Sequence, residues 1–144
     1  MRRAFGTLLL TTACILPSNV TADEVVTLES LRWKHRVLLV PSVVDGRSHV
    51  KWSSESDAMR ERDLVVFEEV DGTFRQWFPE PATKTTLKLS RDTERRVHGR
   101  VTLIGKDGGI KRHWKSDSAE LPAAVFALID SMPMRQREMR EKKN

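Results

Sequence analysis

The chain has 144 residues, with 25 Lys and Arg against 20 Asp and Glu, one cysteine and four histidines. That length suits one ordinary domain, and a single cysteine excludes an internal disulfide and a cysteine-rich metal site. The formal charge of +5 is spread among interspersed acids, a pattern that argues against a nucleic-acid surface.

The first residues read "MRRAFGTLLLTTACILPSNVTADE". Arg2 and Arg3 precede an apolar stretch, Ala4 to Leu16, that is too short to span a membrane as a stable helix. Val20 and Ala22 then supply the small side chains of a cleavage site. The expectation is a secretory signal peptide over 1–22 and a single periplasmic or secreted domain over 23–144. A second processing route, lipidation of Cys14 in "LTTAC", is a minor alternative, because Thr11 stands where that pattern prefers Leu. Cleavage after Ala22 removes Cys14, so the mature chain has no thiol for catalysis, redox exchange or metal binding. No transmembrane segment is expected in it.

"VLLV", Val37 to Val40, is a short apolar run whose β-branched content predicts a strand buried on both faces. "SSESDAMRERD" follows Trp52 and predicts a short polar helix over Ser53 to Arg62. "LVVF", Leu64 to Phe67, is a second buried strand. Asp71–Gly72 between β-prone segments predicts a hairpin, and Pro79 and Pro81 break regularity after it. Residues 83–100 are the least legible, with partial helix expected behind Ser90.

The last third reads as a strand over Val101 to Ile104, a turn, and a strand in which Ile110, Arg112 and Trp114 alternate with Lys111, His113 and Lys115. Asp117 and Glu120 have capping-box spacing. Leu121, Val125, Leu128, Ile129 and Met132 form one apolar helical stripe. Pro133 disfavours helix at Met132, and a charged helix is expected from about Met134 to Lys143, with Glu138 four residues ahead of Lys142.

"GKDGG", Gly105 to Gly109, invites comparison with a phosphate loop. Asp107 stands where that loop needs Ser or Thr, and a strand follows instead of a helix. A hairpin with Asp107 and Gly108 at its centre, both at positive φ, explains the same letters. In that register Ile104 faces Lys111 and Leu103 faces Arg112. Lys106, Lys111 and Arg112 then form one basic edge, read first as a solvated edge strand and second as an anion site. The histidines His35, His49, His98 and His113 have no metal-ligand spacing, and Ser42 lacks a nucleophile's context. The four tryptophans, Trp33, Trp52, Trp77 and Trp114, read as core or interface. No catalytic residue, cofactor or metal site is expected. The binding candidates are Arg36, Lys106, Asp107, Lys111 and Arg112.

Four segments, "LRWKHRVLLV", "RERDLVVFEE", "LIGKDGGIKRHW" and "FALIDSMPMRQREM", together resemble a family of small exported bacterial proteins, the domain of unknown function DUF4174. That domain is also called P-DUDES, and it is shared with secreted sushi-repeat and equarin-like proteins. The resemblance covers nearly all of the mature chain. It implies an α/β fold of thioredoxin-like type, βαβ followed by ββα, with a mixed sheet and flanking helices. The loop "PSVVDGR" (41–47), where a thioredoxin carries its cysteines, has none here, and "RRVHGRV" lacks the proline that precedes a thioredoxin's third strand. The function expected is a non-redox binding or structural module whose partner is a protein or small anionic ligand of the envelope. The alternative is a thiol-independent enzyme or small-anion binder using the loop after the first strand with Arg36, Lys106 and Asp107.

Overall fold

The computed structural model describes residues 22–42, 52–115 and 121–143. Residues 1–21 of the expected signal peptide, the capping pair Asp117 and Glu120, His49 and most of the 41–47 loop fall outside these residues.

Among the described residues seven strands, β1 (Glu24–Thr27), β2 (Arg36–Val40), β3 (Leu64–Val70), β4 (Thr73–Phe78), β5 (Thr85–Lys88), β6 (Val101–Ile104) and β7 (Ile110–Trp114), form one mixed sheet in the order β1-β5-β4-β3-β2-β6-β7. Its centre is β2 (Arg36–Val40) and β3 (Leu64–Val70), which run parallel with Val37 beside Val65 and Leu39 beside Phe67. All five residues of β2 are buried, because helices cover both faces of the sheet. A continuous apolar run without alternation is the sequence consequence of that double burial. Between these strands lies α2 (Ser56–Glu61), preceded by a helical turn at Trp52. On the far side of β2, β6 (Val101–Ile104) and β7 (Ile110–Trp114) add antiparallel, and α4 (Leu121–Ser131) follows. The expected βαβ and ββα units are thus joined through β2 and β6.

The segment 71–100 supplies two of the three remaining strands. Asp71 and Gly72 both have positive φ, 51° and 72°, and Val70 pairs with Thr73. This is the two-residue hairpin turn the Asp-Gly pair predicts. It leads into β4 (Thr73–Phe78), and then β5 (Thr85–Lys88) pairs with β4. The Phe78–Pro79 peptide is cis. Ser90 caps α3 (Arg91–Val97), accepting a hydrogen bond from the backbone N–H of Thr93 at 3.3 Å. At the N-terminal side, β1 (Glu24–Thr27) joins β5 in parallel, and α1 (Leu28–Leu31) follows behind a Thr27–Ser30 capping box.

Two apolar layers hold the helices to the sheet. Leu38, Val40, Leu64, Val66, Phe78 and Leu103 face α2 and α4, where they meet Trp52, Met59, Leu121, Val125 and Ile129. Val37, Leu39, Val65, Phe67 and Ile104 face the other way, against Leu87, Leu89 and Val97, with Leu28 and Leu31 at the margin. The predicted stripe of α4 is therefore a core stripe. The last helix, α5 (Pro133–Glu141), begins with Pro133 in its first turn and Met132 extended at its N-cap. There the missing proline N–H breaks no helical bond.

The hairpin between β6 and β7 differs from the expected register. Gly108 N–H donates to the Gly105 carbonyl and Gly105 N–H to the Gly109 carbonyl, each at 2.9 Å. Lys106 and Asp107 are therefore the central residues of the turn. Gly108 follows at φ 81° and closes a three-residue loop of the bulged type. Asp107 needs no positive φ. Ile104 pairs with Ile110, not Lys111, and a register shift between Leu103 and Ile104 leaves Lys111 as the extra residue; Leu103 opposite Arg112 is as expected.

Candidate functional site

Arg36 opens β2, and its side chain is only 1% exposed. A buried guanidinium must find an anion and acceptors. It donates from Nη1 and Nη2 to the two carboxylate oxygens of Glu138 on α5, both at 3.2 Å, and from Nη1 to the Arg62 carbonyl at 2.9 Å. Its buried Nε has no hydrogen-bond partner among the described residues.

Lys106 reaches from the β6–β7 turn to the same place. Its Nζ donates to Glu138 Oε1 and to Asp63 Oδ2, each at 2.8 Å, and its side chain is 10% exposed. It is not a solvated edge lysine. Asp63 sits immediately before β3 at φ 49°, and its carbonyl accepts the Arg36 N–H at 2.9 Å.

A second cluster adjoins the first. Arg135 on α5, also 1% exposed, donates to Glu61 Oε1 at 2.7 Å, to the Glu61 carbonyl at 2.9 Å and to Asp130 Oδ1 at 3.3 Å. Arg62 donates to both oxygens of Asp130, and its guanidinium lies 4.8 Å from the Phe126 ring centroid. Cations and acids alternate throughout, so the network neutralises itself. It ties the ends of α2 and α4, the start of β2, the β6–β7 turn and α5 together.

The acids stay ionised. Burial pushes the carboxyl of Glu138 up, but hydrogen bonds from Lys106 and Arg36 and their charges outweigh it and hold it below its usual value. Burial likewise opposes Asp63 and Asp130, and Lys106 and Arg62 respectively pull them below the usual range. None is poised to exchange a proton near neutrality.

The five sequence candidates are thus divided. Arg36 and Lys106 meet through Glu138. Asp107 and Lys111 pair with each other at 2.6 Å, and Asp107 also accepts the Gly109 N–H at 3.1 Å. Arg112 stands on β7 with its guanidinium 5.7 Å from the Trp114 centroid. A hollow of about 380 Å³ is lined by Arg36, Lys106, Asp107, Lys111 and Arg137 with Met132 and Met134. Arg36 opens β2 and Pro41 follows its other end; residues 43–47 of the loop after that strand lie outside the described residues. Among the described residues, no group of three or more His, Cys, Asp or Glu could hold a metal ion. No helix among them is long and apolar enough to cross a membrane.

A larger concavity, about 750 Å³, runs between α2 and β4 and under the segment Glu80–Thr85. Its floor and walls include Trp52, Met59, Trp77, Phe78 and Pro81, and its polar lining includes Ser56, Arg60, Arg75, Glu80 and Lys84. Trp52 is buried at 2% exposure, its ring edge-on to Phe126 at 5.9 Å. Trp33, in contrast, is 60% exposed at φ 66° with Arg32 beside its ring. Arg75 carried no sequence signal. It lies in a strand that only pairing with β3 and β5 makes visible.

No curated protein matches the chain. Among solved structures it is similar in fold to Plasmodium yoelii thioredoxin peroxidase I, with a TM-score of 0.52 at 13% identity, covering 76% of this chain and 79% of that one. It is similar as well to Plasmodium yoelii Prx1a modified at its N-terminus, with a TM-score of 0.53 at 14% identity, covering 76% and 80%. At such identities the likeness concerns the fold, which is thioredoxin-like. The profile "Domain of unknown function (DUF4174)" matches residues 27–138, and the chain belongs to that family.

Proposed function

We propose that this chain is an exported binding module, a thioredoxin-like frame that recognises its partner without thiol chemistry. The observation that carries this reading is the placement of the one cysteine. Cys14 lies in the leading apolar stretch, and the loop that follows β2 has none. Cleavage after Ala22 therefore leaves the domain with no thiolate to attack a peroxide or a disulfide. Asp63, Asp130 and Glu138 add support, since each is paired with a cation that holds its carboxyl below the usual range. Such a cluster fastens elements together and offers no general acid.

Intact-mass measurement of the protein recovered from the envelope tests the premise. The expected mass begins at Asp23. Retention of residues 1–22, which returns a thiol to the chain, or a lipid on Cys14 overturns it.

A further inference from the structure

The groove between α2 and β4 contains a cation, Arg75, whose charge no side chain among the described residues answers. Of its lining cations, Arg60 pairs with Asp57 at 3.4 Å and Lys84 with Asp23 at 3.2 Å. Arg75 makes no side-chain hydrogen bond or ion pair among the described residues, and its Nε is buried without a partner. Glu68 is its register partner across β3 and β4. Glu80 is the one acid among the described lining residues.

Chain geometry explains why Arg75 points here. The β-bulge between Val66 and Phe67 sets Phe78 opposite Val66, and Phe74 opposite Glu69. Phe78 then packs toward α2 and Phe74 toward the opposite layer. Arg75, next to Phe74 along an alternating strand, faces α2.

A planar guanidinium with free donors, beside aromatic and proline surface, is the pairing that selects a carboxylate attached to an apolar body. The concavity also has the volume of a small-ligand site, which runs roughly from 300 to 1,000 Å³. We infer that this groove binds a small organic carboxylate, its acid group on Arg75 and its apolar part against Trp77, Phe78 and Pro81. The inference rests on the binding-module reading and names the ligand class for it.

Phenylacetate and hexanoate are the probes, with phenylacetamide as the uncharged control, titrated to millimolar concentration into ¹⁵N-labelled mature protein. The expected result is a saturable shift of the Arg75 Nε–H and Trp77 indole resonances by at least one acid, with no saturable shift from the amide. Arg75→Gln should weaken that binding by about tenfold or more, and Arg75→Lys should retain part of it. The amide spectrum of each variant reports whether the fold is intact. Silence from both acids, equal binding of the amide, or undiminished binding by a folded Arg75→Gln overturns the inference. Any of these in a protein without thiol turnover leaves the module reading standing. Thiol turnover would remove that reading whatever the probes do.

Discussion

The guanidinium of Arg36 and the carboxylate of Glu138 meet in a two-point contact, both N···O distances 3.2 Å, across 102 residues of sequence. Arg36 begins the central strand and Glu138 lies on the last helix, so this pair fastens the chain's charged end to its core. Glu138 therefore turns inward to Arg36 and Lys106, away from the local pairing with Lys142 that its spacing suggests. Removing Glu138 leaves the Arg36 guanidinium buried with only the Arg62 carbonyl, whereas removing Arg36 leaves Glu138 still held by Lys106. Glu138→Met should cost about 3–5 kcal/mol in denaturant melts, and Arg36→Met less, because Lys106 still pairs with Glu138. The double variant Arg36→Met/Glu138→Met should cost less than the sum of the two, because neither charge is left alone. Strict additivity would mean that the pair contributes nothing jointly.

Acid should loosen the same network. The folded-state values of Asp63, Asp130 and Glu138 all lie below their ordinary values. Their contribution is fully present above the unfolded carboxylate range, near pH 4. It is lost as pH falls from there through the folded values. Melts at decreasing pH should show a stability loss that is smaller in Glu138→Gln, which has already given up one titrating group. A wild-type profile that stays flat below pH 4 would contradict this.

The β6–β7 turn offers a sharper comparison. Gly108 holds φ at 81°, so Gly108→Val should cost about 1–3 kcal/mol in strain. From sequence, Lys106 reads as an exposed lysine worth almost nothing. Its two buried-side carboxylate contacts change that expectation, and Lys106→Ala should cost about 1–3 kcal/mol as well. The two variants should therefore fall close together. A Lys106→Ala melt within about 0.5 kcal/mol of wild type would restore the solvated-lysine reading.

What was legible in the sequence follows from physical range. "VLLV" and "LVVF" are contiguous and fully buried, so they announce β2 and β3 without help from neighbours. The stripe from Leu121 to Met132 announces α4 in the same way. β1 and β5, "EVVT" and "TTLK", are four residues each and become strands only by pairing with each other and with β4. The turn at Gly105–Gly109 was recognisable from its glycines, but its register depended on a bulge at Lys111 that local propensity does not encode. Arg36 and Lys106 stood out as cations. Their partners Glu138 and Asp63 did not, since spacing rules for charges see only one helix at a time. Arg75 escaped for the same reason in reverse: what marks it is the lack of a side-chain partner among the described residues.

Cleaved of Cys14, this thioredoxin-like domain has no thiolate with which to reduce a disulfide or a peroxide. Insulin reduction and peroxide consumption by metal-free mature protein, compared with a heat-denatured control, test it most directly. The account predicts no turnover of either substrate above that control. Sustained turnover of either one by the cysteine-free chain would contradict it.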